Sequence, residues 1–115
     1  MNYEEALALM KTAKNPIKGK PIANNTRLHA CLYDGSFEIK LHGHPIITIH
    51  PNYITLNSCG YRTRTTKERM KTFTPEGINI IQRNYKWYVT LPSFDDDVWG
   101  EEVPFYDGIK IGVKE

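Results

Sequence analysis

The chain has 115 residues, the length of one domain (1–115) with a modest core, for which homo-oligomerisation is one way to add buried area. With 40% hydrophobic and 24% charged residues it is too apolar to be disordered, and no apolar run approaches the roughly 20 residues of a membrane span. A net charge of +2 is too small for a protein coated in nucleic acid, so the informative feature is unevenness: a basic run at 61–71 against the acidic Asp95, Asp96, Asp97, Glu101 and Glu102.

Residues 2–14 predict a helix, because Tyr3, Ala6, Leu7, Met10 and Ala13 fall on one apolar stripe. Asn2 is placed to cap it, Glu5 to close a capping box, and Asn15-Pro16 to stop it. Early acids and the lack of a basic start argue against a secretory signal. Residues 15–25 read as a polar Pro/Gly/Lys loop.

A β-rich body follows over 26–113, where the apolar period changes to two. Asp34-Gly35 predicts a two-residue type I′ turn, since both positions of that turn need positive φ. The implied register pairs Leu32 with Phe37, Ala30 with Ile39 and Leu28 with Leu41. The opposite face then carries Arg27–His42, His29–Lys40 and Cys31–Glu38. Pro51-Asn52 predicts a second hairpin with Ile49 on Ile54, Thr48 on Thr55 and Ile47 on Leu56; proline there suits a type I turn or a longer loop. Thr65-Thr66-Lys67-Glu68 resembles a helix start, with Thr65 as cap and Glu68 closing a capping box, running to about Thr72 before Thr74-Pro75. Ile78–Arg83 and Lys86–Leu91 form a third pair with Ile80 and Val89 on one face, and Ile109–Val113 a last strand. The predicted class is α+β: a bent antiparallel meander of about six to seven strands, barrel-like or half-barrel, with an N-terminal helix and a short inserted helix. Cys31 and Cys59 lack C-x-x-C spacing and read as free thiols of a reducing cytoplasm.

The stretch Gly60 to Lys71 sets Arg62, Arg64, Lys67, Arg69 and Lys71 against the single acid Glu68. Thr63, Thr65 and Thr66 are interleaved and Tyr61 stands at its entrance. Guanidinium forks, ammonium groups, hydroxyls and the free N–H groups of a helix start all grip phosphate oxygens. The alternative is a solvated helix face with Glu68 pairing locally. On the first hairpin, His29 and His42 beside Arg27 and Lys40 compose a set able to cleave a phosphodiester without metal, one imidazole accepting a proton while the other donates. The alternative there is an exposed strand face with ordinary histidines. His42-Gly43-His44 with His50 has the look of a metal triad, but Pro45 and strand alternation send His50 away; no metal or other cofactor is expected. Asp95–Asp97 is in principle a Mg²⁺ ligand set, and more often a solvated loop or a partner for basic residues. Trp87 and Tyr88 point opposite ways on a strand, Trp87 as core; an exposed tyrosine beside arginines can stack a base.

Asn24-Asn25-Thr26, Asp34-Gly35, Leu41-His42, Leu56-Asn57-Ser58, Gly60-Tyr61-Arg62-Thr63, Thr65-Thr66-Lys67-x-Arg69, Trp87-Tyr88-Val89 and Phe105-x-Asp107-Gly108 together resemble a family of small uncharacterised proteins encoded by bacteriophages and prophages. The resemblance spans roughly residues 20–110. The sequence departs from it at Cys59 and Tyr61, where the family tends to Gly and Trp, and at Met70-Lys71. The setting it implies is the cytoplasm of an infected bacterium, where small phage proteins bind host machinery, nucleic acid or defence signals. Three functions are therefore expected to compete. The first is a phosphate-recognising protein for a nucleotide or nucleic acid, including sequestration of a nucleotide defence signal, using Tyr61, Arg62, Arg64, Thr65, Thr66, Lys67 and Arg69. The second is a metal-independent phosphodiesterase using His29, His42, Lys40 and Arg27. The third is a protein-interaction inhibitor of a host complex.

Overall fold

The computed structural model describes residues 1–15, 18–31, 33–92 and 100–113. Helix α1 spans Tyr3–Met10, and the predicted capping box is present: the Asn2 side chain accepts from the Glu5 N–H at 2.9 Å while the Glu5 carboxylate reaches back to the Asn2 N–H. It ends four residues earlier than the apolar pattern predicts. From Lys11 the chain tightens into i→i+3 bonds, Thr12 N–H to Leu9 O and Ala13 N–H to Met10 O, and the Thr12 hydroxyl also takes Leu9 O. Ala6 and Met10 are buried, and the Tyr3 hydroxyl donates to Gly35 O, which ties the helix to the loop after the next strand but one.

The α+β class and the antiparallel meander are as predicted, with more strands. Strands β1 (Lys20–Ala23), β2 (Thr26–Ala30), β3 (Phe37–Leu41), β4 (His44–Ile49), β5 (Tyr53–Leu56) and β9 (Ile109–Gly112) form one open sheet in the order β1-β2-β3-β4-β5-β9. Between β5 and β9 the chain leaves this sheet to build helix α2 (Arg64–Phe73) and a three-stranded sheet of β6 (Asn79–Arg83), β7 (Lys86–Thr90) and β8 (Glu102–Pro104). β1 lies in the stretch expected to be a loop, and β8 was not expected; both are short edge strands carrying proline, where the alternation is weakest. One cluster of buried side chains draws on both sheets and both helices, from Leu28, Ile39, Ile47 and Ile54 to Met70, Ile80, Trp87 and Val89.

The first hairpin needs correction. Arg27 pairs with Lys40, Leu28 with Ile39, His29 with Glu38 and Ala30 with Phe37. This is a shift of two residues from the predicted register, and the predicted Leu32–Phe37 pair falls on a residue outside the described ones. Asp34 does not take positive φ, so no type I′ turn forms there. Instead the Asp34 carboxylate accepts from the Ser36 N–H at 3.0 Å and from the Ser36 hydroxyl at 2.6 Å, closing a longer loop in which Gly35 is left-handed. Those two bonds, the hydroxyl foremost, lower the Asp34 pKa to about 2. A two-residue shift keeps side-chain parity, so Leu28, Phe37, Ile39 and Leu41 still face the core. The polar pairs across the strands, however, are exchanged.

The type I′ signature sits at His42-Gly43, with φ of 51° and 81°, where Leu41 pairs with His44. The second hairpin has the predicted register throughout: Ile47 on Leu56, Thr48 on Thr55, Ile49 on Ile54. So has the third, with Ile80 on Val89.

Candidate functional site

Helix α2 begins two residues earlier than predicted. Thr63, not Thr65, is the cap: its backbone is extended, its hydroxyl accepts from the Thr66 N–H at 3.2 Å, and the Thr66 hydroxyl lies 3.1 Å from it. Glu68 is therefore not a capping-box residue but sits one turn along, where it pairs with Arg64 at 3.0 Å. Thr74 in an extended conformation before Pro75 ends the helix.

This shift disperses the basic run. Arg64 is committed to Glu68, and the Arg62 guanidinium lies over the Phe105 ring at 5.2 Å. Lys67 donates to the Gln82 side chain at 2.9 Å, tying α2 to β6. Arg69 donates to the Thr26 hydroxyl at 3.0 Å and to Asn24 O at 3.4 Å, pinning α2 to the β1–β2 turn. Each of these four cations thus has a partner within its own chain, and Arg62 and Arg64 turn to different ones.

Tyr61, Thr65 and Thr66 do come together, in a concavity of about 430 Å³ between the β3–β4 turn and the start of α2. Leu41 and Ile46, both buried, supply its apolar lining. His44 and Tyr61 contribute rings whose centres are 4.9 Å apart, tilted by 36°. Ser58, Thr63 and His42 complete the wall. Behind this wall, the Ser58 N–H and hydroxyl donate to Asp107 Oδ1 at 2.8 and 2.7 Å, and the Asn57 side chain accepts from the Cys59 N–H at 2.7 Å. Cys59 and Gly60 follow with φ of 54° and 82°, which turns the chain sharply and presents Tyr61 about half exposed. Partial burial works against the Asp107 carboxylate, but the two Ser58 donors, and then Arg62, outweigh it and hold its pKa below the ordinary value. Burial pushes the Cys59 thiol up, with Asp107 adding to the effect.

The residues considered for catalysis also share one place. Arg27, His29, Lys40 and His42 line a second concavity of about 410 Å³. The corrected register sets Arg27 directly opposite Lys40 and His29 opposite Glu38, while His42 occupies the β3–β4 turn. Gly19, at φ 83°, brings the backbone so close that a Cβ there would meet the His29 ring at 2.8 Å. Two continuities follow. His42 lines both concavities. Arg27 and Pro21 are also shared with a third, where Lys14, Lys18 and Lys20 lie. The sequence between residues 11 and 20 holds Lys11, Lys14, Lys18 and Lys20 with no acid, a basic run that its loop-like composition disguises.

Among the described residues no three His, Cys, Asp or Glu side chains gather as a metal site. His50 stacks on Tyr53 at 4.1 Å, well removed in the fold from the His42-Gly43-His44 turn at the other end of β4. Cys31 and Cys59 are free thiols. Asp95–Asp97 lie outside the described residues. Trp87 is buried against Phe105, and Tyr88 is half-buried beneath Arg83, whose guanidinium also pairs with Glu102. No described helix is long and apolar enough to cross a membrane.

In comparisons with known proteins, the sequence model of one family, described as Kyanoviridae Gp96 protein, matches residues 5–112. No curated protein and no solved structure matches the chain.

Proposed function

From the premise that the chain belongs to the Kyanoviridae Gp96 protein family, a phage protein family, we propose that it binds nucleic acid along the cationic groove of β1–β3. The observation that carries this reading is the pairing of Arg27 with Lys40 on adjacent strands. Like charges directly opposite one another weaken a sheet, and a phosphate shared between them removes the penalty. Lys14, Lys18 and Lys20 extend the same positive lining beyond Arg27, which suits a polymer of phosphates better than one phosphate group. Arg62, Arg64, Lys67 and Arg69 turn to partners in different parts of the fold, whereas Arg27 and Lys40 line one concavity, so the phosphate contacts expected from Arg62 and Arg64 pass to Arg27 and Lys40. Tyr61 and Thr65 remain at the neighbouring concavity. A free nucleotide, including a host defence signal, is the smaller ligand that this groove would take.

The test is affinity for a short single-stranded oligonucleotide as a function of salt. Neutralising several phosphates makes binding fall steeply and linearly on logarithmic axes, with a slope of about −0.7 per phosphate. Affinity that is flat in salt contradicts the reading. A free-nucleotide ligand would instead raise the melting temperature of the protein with one nucleotide and not others.

A second reading is favoured by one observation: His29 and His42 line the groove together with Arg27 and Lys40. Phosphodiester cleavage would use the two imidazoles as proton acceptor and donor, with the cations stabilising the extra charge of the transition state. Oligonucleotide recovered intact after heat denaturation of its complex eliminates cleavage. Fragments that a His29→Ala, His42→Ala variant fails to produce establish it.

A further inference from the structure

We propose that the concavity between the β3–β4 turn and the start of α2 receives one unpaired nucleobase, making the ligand single-stranded rather than duplex. This rests on the nucleic-acid reading above and adds to it a separate binding position. A ligand pocket of about 300–1,000 Å³ is lined mainly by apolar and aromatic groups with a few polar ones that fix orientation. The concavity has about 430 Å³, and its lining includes the aliphatic Leu41 and Ile46 and the paired rings of His44 and Tyr61. The hydroxyls of Ser58, Thr63 and Thr66 are spent on protein partners. The Thr65 hydroxyl and the ring nitrogens of His42 and His44 carry no hydrogen bond among the described residues.

A planar heterocycle matches this lining: it has two apolar faces to lay against rings and an edge of donors and acceptors. A base within a duplex has its faces stacked and its pairing edge used, so a splayed base enters where a paired one does not. The backbone geometry is consistent, because His42 belongs to both concavities. A strand whose phosphates lie at Arg27 and Lys40 would reach the base pocket by crossing the β3–β4 turn at His42. Tyr61 is about half exposed, with the His44 ring packed beside it.

The experiment compares oligothymidylate, an abasic oligomer of the same length and a duplex, by fluorescence anisotropy at several salt concentrations. Base–aromatic stacking predicts that oligothymidylate binds roughly 5- to 150-fold more tightly than the abasic oligomer. Tyr61→Ala should abolish that preference and Tyr61→Phe retain it. Equal, steeply salt-dependent binding of all three leaves the cationic groove standing and overturns the base pocket. If no oligomer binds, the groove reading fails, and thymidine, which carries no phosphate, decides the pocket alone. Shifts of the Tyr61 and His44 ring protons on titration with thymidine support it, and unmoved resonances overturn it.

Discussion

Ser58 and Asp107, 49 residues apart in the chain, are joined by two hydrogen bonds to one carboxylate oxygen. They stand where the chain leaves β5 and where it returns to β9, so the pair closes the base of the excursion that carries α2 and the smaller sheet. Gly108 N–H to Leu56 O, at 2.8 Å, seals the same neck. Three segments carrying the family resemblance, around Asn57-Ser58, Tyr61-Arg62 and Asp107-Gly108, thus meet in space. Together they brace the loop that presents Tyr61.

Asp107→Ala orphans a Ser58 side chain and N–H that are almost fully buried. Such groups cost about 1–3 kcal/mol when unsatisfied, so urea unfolding should show a loss of that size. The effect has a pH signature. A carboxylate whose pKa is lower in the folded than in the unfolded chain stabilises the fold above its unfolded pKa, and that contribution is lost as pH falls through the folded value. The gap between wild type and variant should be widest near neutrality and narrow below about pH 4. A gap independent of pH would show that the carboxylate charge is irrelevant to the clamp.

The basic residues of α2 differ sharply in what they hold. Arg69 bonds the Thr26 hydroxyl, and Thr26 is buried. Arg64 makes an exposed i,i+4 ion pair. Arg69→Ala is expected to cost about 1.5–3 kcal/mol, the usual worth of a hydrogen bond made by a charged group. Arg64→Ala should cost at most about 0.5 kcal/mol, since exposed helical ion pairs contribute little. Neither substitution should change oligonucleotide affinity by more than the loss of a single remote charge. A large loss of binding in Arg64→Ala would return the phosphate site to α2.

How much of this was legible in the sequence depended on whether local pattern or long-range contact decided the outcome. The Asn2–Glu5 box, the Ile47–Leu56 and Ile80–Val89 registers and the burial of Trp87 follow from spacing alone. The first hairpin did not, because Asp34 spends its carboxylate on Ser36 instead of adopting the positive φ that Asp-Gly favours, and a two-residue shift is invisible to the apolar pattern. Nor did the α2 start, because Thr65 with Glu68 three residues on carries the capping-box pattern, which Thr63 lacks although it is the cap. The turn that places Thr63, with its N–H on Tyr61 O, depends on the loop braced by Ser58 and Asp107. The dispersal of the arginines was equally hidden, since Phe105, Thr26 and Asn24 are distant in sequence.

Tyr85 illustrates a backbone cost at the surface. With Asn84 it forms the two-residue β6–β7 turn at φ of 50° and 65°, and its side chain is 96% exposed. A left-handed backbone costs an L-residue about 1–2 kcal/mol, which glycine largely avoids while giving back part through its greater unfolded-state entropy. Tyr85→Gly is therefore expected to raise stability by about 1 kcal/mol in chemical denaturation. A destabilised variant would mean that the tyrosine ring contributes packing that its exposure denies.

Lys40 is expected to show opposed effects on stability and binding. It faces Arg27 across β2 and β3, and Lys40→Gln removes the repulsion between them. Cross-strand pairs are worth roughly 0.2–1 kcal/mol, so the variant without ligand should be no less stable than wild type and gain up to a few tenths of a kcal/mol. Its affinity for single-stranded oligonucleotide should fall, and its salt slope become shallower by about 0.7 if one phosphate contact is lost. Arg27→Gln should act in the same direction on both quantities. The double variant should then lose about two contacts' worth of slope while gaining little further stability, because the repulsion is already gone after the first substitution. Parallel losses of stability and affinity would show that Lys40 holds the sheet together. A gain in stability with unchanged affinity would show that the charge pair is a cost borne for something other than nucleic acid.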